Sequence, residues 1–212
     1  MIKFVHTSSI LVTGPTGSGK TAFVIRLIKE ELFTLPFDRA VWIYNEWQSQ
    51  YDELKENSIV EFREDCNETF YQSLTPFQAN LVVLDDQMNN MGNSKVLTRL
   101  FTEGSHHRNL SVIYIVQNLF DKGRSHRNVS LNSQYLILLK NPREASQIEC
   151  LSRQIYGKRN GQFLIDAFKD ATSEPYGYLV IDLRPDTEEE LRVRTKIFKG
   201  ESCEVYRPSN QQ

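Results

Sequence analysis

Short apolar runs alternate with amphipathic stretches along the chain. Ser9–Thr13 is apolar up to a glycine-rich segment and reads as a buried strand. From about 20 to 35, Phe23, Val24, Leu27, Ile28 and Leu32 recur at the spacing of one helix face, and Pro36 stops it. Residues 40–44 predict a second strand, 48–56 a surface helix, 58–62 a further strand and 68–74 another helix. Leu81, Val82, Val83 and Leu84 form a strand that runs into Asp85 and Asp86. A helix over 94–101 leads to a strand over 111–116, which ends at Gln117, and Tyr135–Leu139 follows as a fifth. Helical periodicity covers 144–156 and 162–168. Two last runs, 178–183 and 191–198, are spaced to pair as a hairpin.

Apolar strands alternating with helices predict a doubly wound α/β domain, its mostly parallel sheet covered on both faces. About five parallel strands are expected, extended by a C-terminal strand pair. Residues 1–200 read as a single domain, and 201–212 as a polar, flexible tail.

Composition narrows this picture a little. The chain has 212 residues, 40% hydrophobic and 25% charged, which suits one globular domain rather than disorder. Its formal net charge of −2 rules out global basicity, so nucleic-acid binding would need local basic loops or assembly. No apolar run reaches membrane-spanning length, and the start lacks a signal-peptide core. An intracellular protein, or one inside a particle assembled there, is expected. Cys66, Cys150 and Cys203 are widely separated, which argues against a disulfide framework or a zinc site.

The chemistry begins after the first strand. Gly14, Pro15, Thr16, Gly17, Ser18, Gly19, Lys20 and Thr21 fit the pattern G-x-x-x-x-G-K-[ST]. Glycines let the backbone curl so that its N–H groups point at a phosphate. The helix that follows adds the positive end of its dipole. Lys20 can neutralise phosphate oxygens, and the Thr21 hydroxyl can ligate Mg²⁺.

Asp85 and Asp86 end a buried strand, where such an enzyme places its carboxylates. Asp85 is assigned to the Mg²⁺ shell and Asp86 to the attacking water. Gln117 ends the 111–116 strand, on the edge where open α/β sheets bind ligands, and is assigned as a sensor of the terminal phosphate. Beyond it, Lys122, Arg124 and Arg127 form a basic cluster. That cluster reads equally as a grip on DNA phosphates or as a solvated loop. Trp42, Tyr44 and Trp47 read as core and as wall of a nucleobase pocket.

The order of phosphate loop, strand ending Asp85-Asp86, and His107-Arg108-Asn109 before a strand ending in Gln117 resembles the FtsK–HerA superfamily of DNA-pumping ATPases. Within it, the chain is most similar to the compact genome-packaging ATPases of large double-stranded DNA viruses and Polinton-like elements. The resemblance covers about residues 9–140. It implies a P-loop NTPase of the additional-strand, RecA-like class that uses ATP and Mg²⁺. It implies a homo-oligomeric ring around double-stranded DNA, with a capsid or portal-like component as a further partner. Asp86 stands where many relatives have Glu. Arg108 would be the arginine finger acting in a neighbouring subunit's site, with Arg124, Arg127 and Arg143 as rivals and a plain surface arginine as the other reading. The HerA branch's β-barrel and the FtsK branch's membrane and DNA-reading domains have no counterpart in this sequence.

Three other readings compete. A small nucleotide or nucleoside kinase fits the length, but Asp85, Asp86 and Gln117 suit water activation better than a bound acceptor. A GTP switch would need Asn118-Leu119-Phe120-Asp121 to read the base, with Leu in place of the required Lys. An ATP-dependent scaffold would have no need of the acidic pair.

Overall fold

The structure is a computed structural model that describes residues 3–55, 60–85, 95–120, 124–143 and 145–208. Its strands are β1 (Ser9–Thr13), β2 (Arg39–Ile43), β3 (Val60–Arg63), β4 (Asn80–Asp85), β5 (Leu110–Val116), β6 (Tyr135–Leu139), β7 (Tyr178–Asp182), β8 (Val193–Thr195) and β9 (Glu204–Tyr206). They form one sheet in the order β3-β2-β4-β5-β1-β6-β7-β8-β9. The strands from β3 to β6 run parallel and the last three antiparallel. β5 is inserted between β1 and β4, as the additional-strand class requires.

Alternate residues of each central strand feed two separate cores. On one face Ile10, Val12, Trp42, Val83 and Ile113 meet Phe23, Val24 and Leu27 of α1 (Lys20–Lys29). On the other, Leu11, Val41, Leu84, Val112 and Leu136 meet α3 (Glu68–Ser73), α4 (Lys95–Thr102) and α7 (Ala145–Ala171). Smaller helices are α2 (Asp52–Lys55), α5 (Gly104–His107) and α6 (Arg124–Asn132). Burial on both faces is why these strands read as continuous apolar runs.

Several boundaries differ from the periodicity. α1 stops at Lys29, short of the expected 35, because Glu31 turns left-handed at φ 53°. The amides of Leu32 and Glu31 then donate to the carbonyls of Leu27 (3.2 Å) and Ile28 (3.1 Å), closing the helix end. Leu32 keeps its helical spacing only because this closure folds it back into the core, where it is fully buried.

The two predicted helices over 144–168 form α7, which reverses at Gly157 (φ 70°). The arms lie close where Gly161 meets Ser152; a Cβ at 161 would come within 3.1 Å of the Ser152 hydroxyl. The predicted C-terminal pair is present as β7 and β8. Within the segment read as a polar tail, Glu204–Tyr206 adds β9 to β8. Polar composition hid this strand, which is held by Lys196–Glu204 (2.6 Å) and by Tyr206 donating to Asp170 (2.7 Å). No helix among the described residues is long and apolar enough to cross a membrane.

At the edge where parallel strands begin, His6 Nε2 lies 2.9 Å from Asn109 Oδ1, and Nδ1 lies 2.8 Å from the Ser111 hydroxyl. An amide oxygen only accepts, so Nε2 carries the proton and Nδ1 accepts from Ser111. Burial holds the imidazole below its ordinary pKa, against the opposing Asn109 bond and the nearby Asp38 charge. Below about pH 6.5 the unfolded chain therefore takes up a proton that the folded chain refuses. Stability should be full above that pH and decline as pH falls toward the lowered native value. Chemical denaturation at pH 8 and pH 5.5 should show this loss, and His6→Gln should reduce the difference between them.

Candidate nucleotide site

Adjacent strand ends assemble the site. β1 delivers the phosphate loop, β4 delivers Asp85 and β5 delivers Gln117; the registers pair Thr13 with Val116 and Asp85 with Ile115. Residues read from distant parts of the sequence thus share one edge. Lys20, Thr21, Asp85, Gln117, Thr16 and Gly17 line a cleft of about 120 Å³. Gln48, which the sequence did not single out, lines it too.

The loop's glycines are enforced by geometry. Gly19 caps α1 at φ 93°, a left-handed conformation that L side chains resist. A Cβ at Gly14 would stand 2.7 Å from the Ser18 hydroxyl and 3.0 Å from Leu139 Cβ, so the turn closes only without one. The amide of Ser18 donates to the Pro15 carbonyl (3.1 Å) inside this turn. Lys20 Nζ donates to the carbonyls of Gly14 (2.7 Å) and Pro15 (2.9 Å), curled over its own loop.

Asp85 is almost completely buried. Its Oδ2 accepts from the Thr21 hydroxyl at 3.1 Å and from the Tyr51 hydroxyl at 2.9 Å. Tyr51 comes from the predicted surface helix, which is instead a short 3₁₀ turn (Ser49–Tyr51) followed by α2. Tyr51 and Leu54 are buried there. Their three-residue spacing was the available sign that this segment packs inward. Tyr51 sits in an aromatic cluster with Trp42, Tyr44, Trp47 and Phe62. Trp42 is core, as read. Tyr44 and Trp47 pack around the tyrosine that holds Asp85, with β4 and β5 between their strand and β1.

The residues present fit magnesium and a phosphate chain. A hydroxyl and a carboxylate within hydrogen-bond distance are hard oxygen donors of the kind Mg²⁺ takes alongside phosphate oxygens. The Ser18 hydroxyl is buried in the loop with no hydrogen-bond partner among the described residues, as a group awaiting a ligand would be.

Asp86 and Lys122 lie outside the described residues, as do the side chains of Arg124 and Arg127, whose backbones open α6. Arg143 is exposed in the turn after β6. Arg108 precedes β5, at the opposite edge of the sheet, a strand's length of roughly 20 Å from the cleft. It donates to the Leu74 carbonyl and the Gln72 side chain, each at 3.0 Å, and its guanidinium lies over the Tyr71 ring. Within its own chain it ties the entry of β5 to α3.

Most of the chain aligns with solved structures of a viral enzyme. The genome-packaging NTPase B204 of Sulfolobus turreted icosahedral virus 2, in complex with ATPγS, superposes with a TM-score of 0.56 at 13% identity, covering 95% of this chain and 97% of that one. The same NTPase with AMPPCP gives 0.57 at 12% identity over 95% and 97%. The DNA-packaging ATPase B204 from Sulfolobus turreted icosahedral virus gives 0.54 at 12% identity, again over 95% and 97%. The fold is that of a P-loop NTPase. No protein-family model matches the sequence, and no curated protein matches it. The structural likeness agrees with the P-loop NTPase fold read from the motifs and takes in 95% of the chain.

Tyr51→Phe removes one of the hydroxyl donors described at Asp85 while keeping the ring in its cluster. Outer-shell partners of metal ligands are worth about 10–100-fold. The variant should stay folded and need about tenfold more Mg²⁺ for half-maximal nucleotide turnover, measured by magnesium titration at saturating nucleotide.

Proposed function

We propose that this chain is a Mg²⁺-dependent ATP hydrolase that drives double-stranded DNA during the packaging of a viral or mobile-element genome. The observation that carries the hydrolase is the convergence of Lys20, Thr21, Asp85 and Gln117 on one cleft at the strand ends. Packaging is supported by the full-length likeness to the B204 enzymes.

In this reading the residues divide the work. The loop amides and the N-terminus of α1 receive the phosphates. Lys20 exchanges the carbonyls of Gly14 and Pro15 for charged phosphate oxygens, a stronger pairing. Thr21 and Asp85 hold the metal, which neutralises charge gathering on the terminal phosphate. Asp86, next in the chain, takes the proton of the attacking water. Gln117, exposed at the end of β5, contacts the terminal phosphate or the water and passes the change into the segment that carries Lys122, Arg124 and Arg127. That segment grips the DNA backbone without reading sequence. The sites work between subunits of a ring, with Arg108 entering from a neighbour that presents its opposite sheet edge.

ATP hydrolysis measured with and without long double-stranded DNA tests this. DNA should stimulate the rate severalfold, salt should weaken the stimulation, and Lys20→Ala should lower turnover by ~100-fold or more. Hydrolysis indifferent to DNA would remove the translocase. Phosphate appearing on an added nucleoside monophosphate would make the protein a kinase.

The arginine needs a separate experiment. Mixing Arg108→Ala with Lys20→Ala chains should restore part of the hydrolysis, because one mixed interface regains both groups. No recovery at any ratio, with assembly intact, would leave Arg108 as the tie between β5 and α3.

A further inference from the structure

The cleft of about 120 Å³ has room for phosphate and a metal ion, and none of the described residues that line it is aromatic, so it offers no flat face to a base. The nucleoside needs such a face beside it. Its direction follows from the sheet order. β1 has β5 on one side and β6 on the other. Asp85 and Gln117 take the terminal phosphate on the β4–β5 side. A phosphate chain wrapped across the start of α1 then sends its nucleoside toward β6.

Tyr176 stands on that side. It belongs to the turn between α7 and β7, adopts the left-handed conformation (φ 60°) and is 70% exposed. Its ring reaches the phosphate loop: Cδ1 lies 3.1 Å from where a Cβ on Gly19 would stand. The turn is fixed to the end of β6. Lys140 Nζ donates to the Ser173 carbonyl (2.7 Å), and the Lys140 amide donates to the Gly177 carbonyl (3.1 Å). Gly177 is packed so closely that a Cβ there would come within 2.5 Å of the Ala171 carbonyl. An exposed aromatic in a disfavoured backbone conformation, on an anchored turn beside a phosphate loop, needs a reason beyond packing.

We propose that Tyr176 is the stacking platform for the nucleobase of the bound nucleotide, an inference that rests on the ATPase reading above. The ring supplies a flat apolar face next to the phosphates, and the anchored turn holds it ready before the ligand arrives.

Equilibrium binding of ATP and of inorganic tripolyphosphate, each with Mg²⁺, to the full chain and its variants tests this. Tyr176→Ala should weaken ATP about tenfold and leave tripolyphosphate within about twofold, because base–aromatic stacking is lost and phosphate contacts remain. Tyr176→Phe should keep the affinity for ATP, since the face and not the hydroxyl does the stacking. A parallel loss of tripolyphosphate would make the ring a support for the loop and overturn the proposal, as would unchanged ATP affinity in Tyr176→Ala. An unaltered chain that binds neither ligand would instead overturn the ATPase reading, and this inference with it.

Discussion

One carboxylate oxygen joins three distant parts of the chain. Asp85 Oδ2 receives the hydroxyl of Thr21, from the helix that follows the phosphate loop, and the hydroxyl of Tyr51, from the turn beyond β2. A buried carboxylate is tolerated only when donors surround it, so these bonds oblige β4, α1 and the 49–51 turn to meet at one point. The aromatic cluster behind Tyr51 keeps that donor from swinging away. Everything the site can do depends on this meeting, because it sets the distance between the phosphate loop and the acidic strand end.

The central strands and the phosphate loop were legible in the sequence for physical reasons. Strands buried on both faces show uninterrupted apolar runs, and a loop that must close around phosphate shows its glycines at fixed spacing. Asp85 and Gln117 were legible because both end such runs. Tyr51 was not, since one tyrosine among polar residues gives no sign of which distant carboxylate it will reach. The end of α1 was hidden because Leu32 stays in phase with the helix while the backbone has already reversed at Glu31. β9 was hidden because an edge strand with little burial carries no apolar alternation. Arg108 could be read by family likeness alone; its contacts with Leu74, Gln72 and Tyr71 are long-range and had no sequence signature.

The two ends of the parallel strands have different characters. At their C-terminal ends lie the glycine loop, the cleft and the exposed Gln117 and Tyr176, where backbone and side chains remain open to a ligand. At their N-terminal ends several polar groups are tied within the chain: His6 to Asn109 and Ser111, and the Asn80 side-chain amide N–H groups to the carbonyls of Thr75, Gln78 and Arg108. This end is built for rigidity, and it gives the reactive end a fixed base to work against.

The sheet's two margins are short and charged. β3 has four residues, flanked by the pairs of Arg63 with Glu61 and Asp65, and β9 has three, flanked by Lys196 with Glu204. Such margins discourage a second sheet from zipping on through main-chain hydrogen bonds. Copies of this protein that come together are thereby steered toward contacts through side chains and loops. Contacts of that kind can loosen and re-form as a site fills and empties, whereas a shared sheet would weld the copies into one inert body.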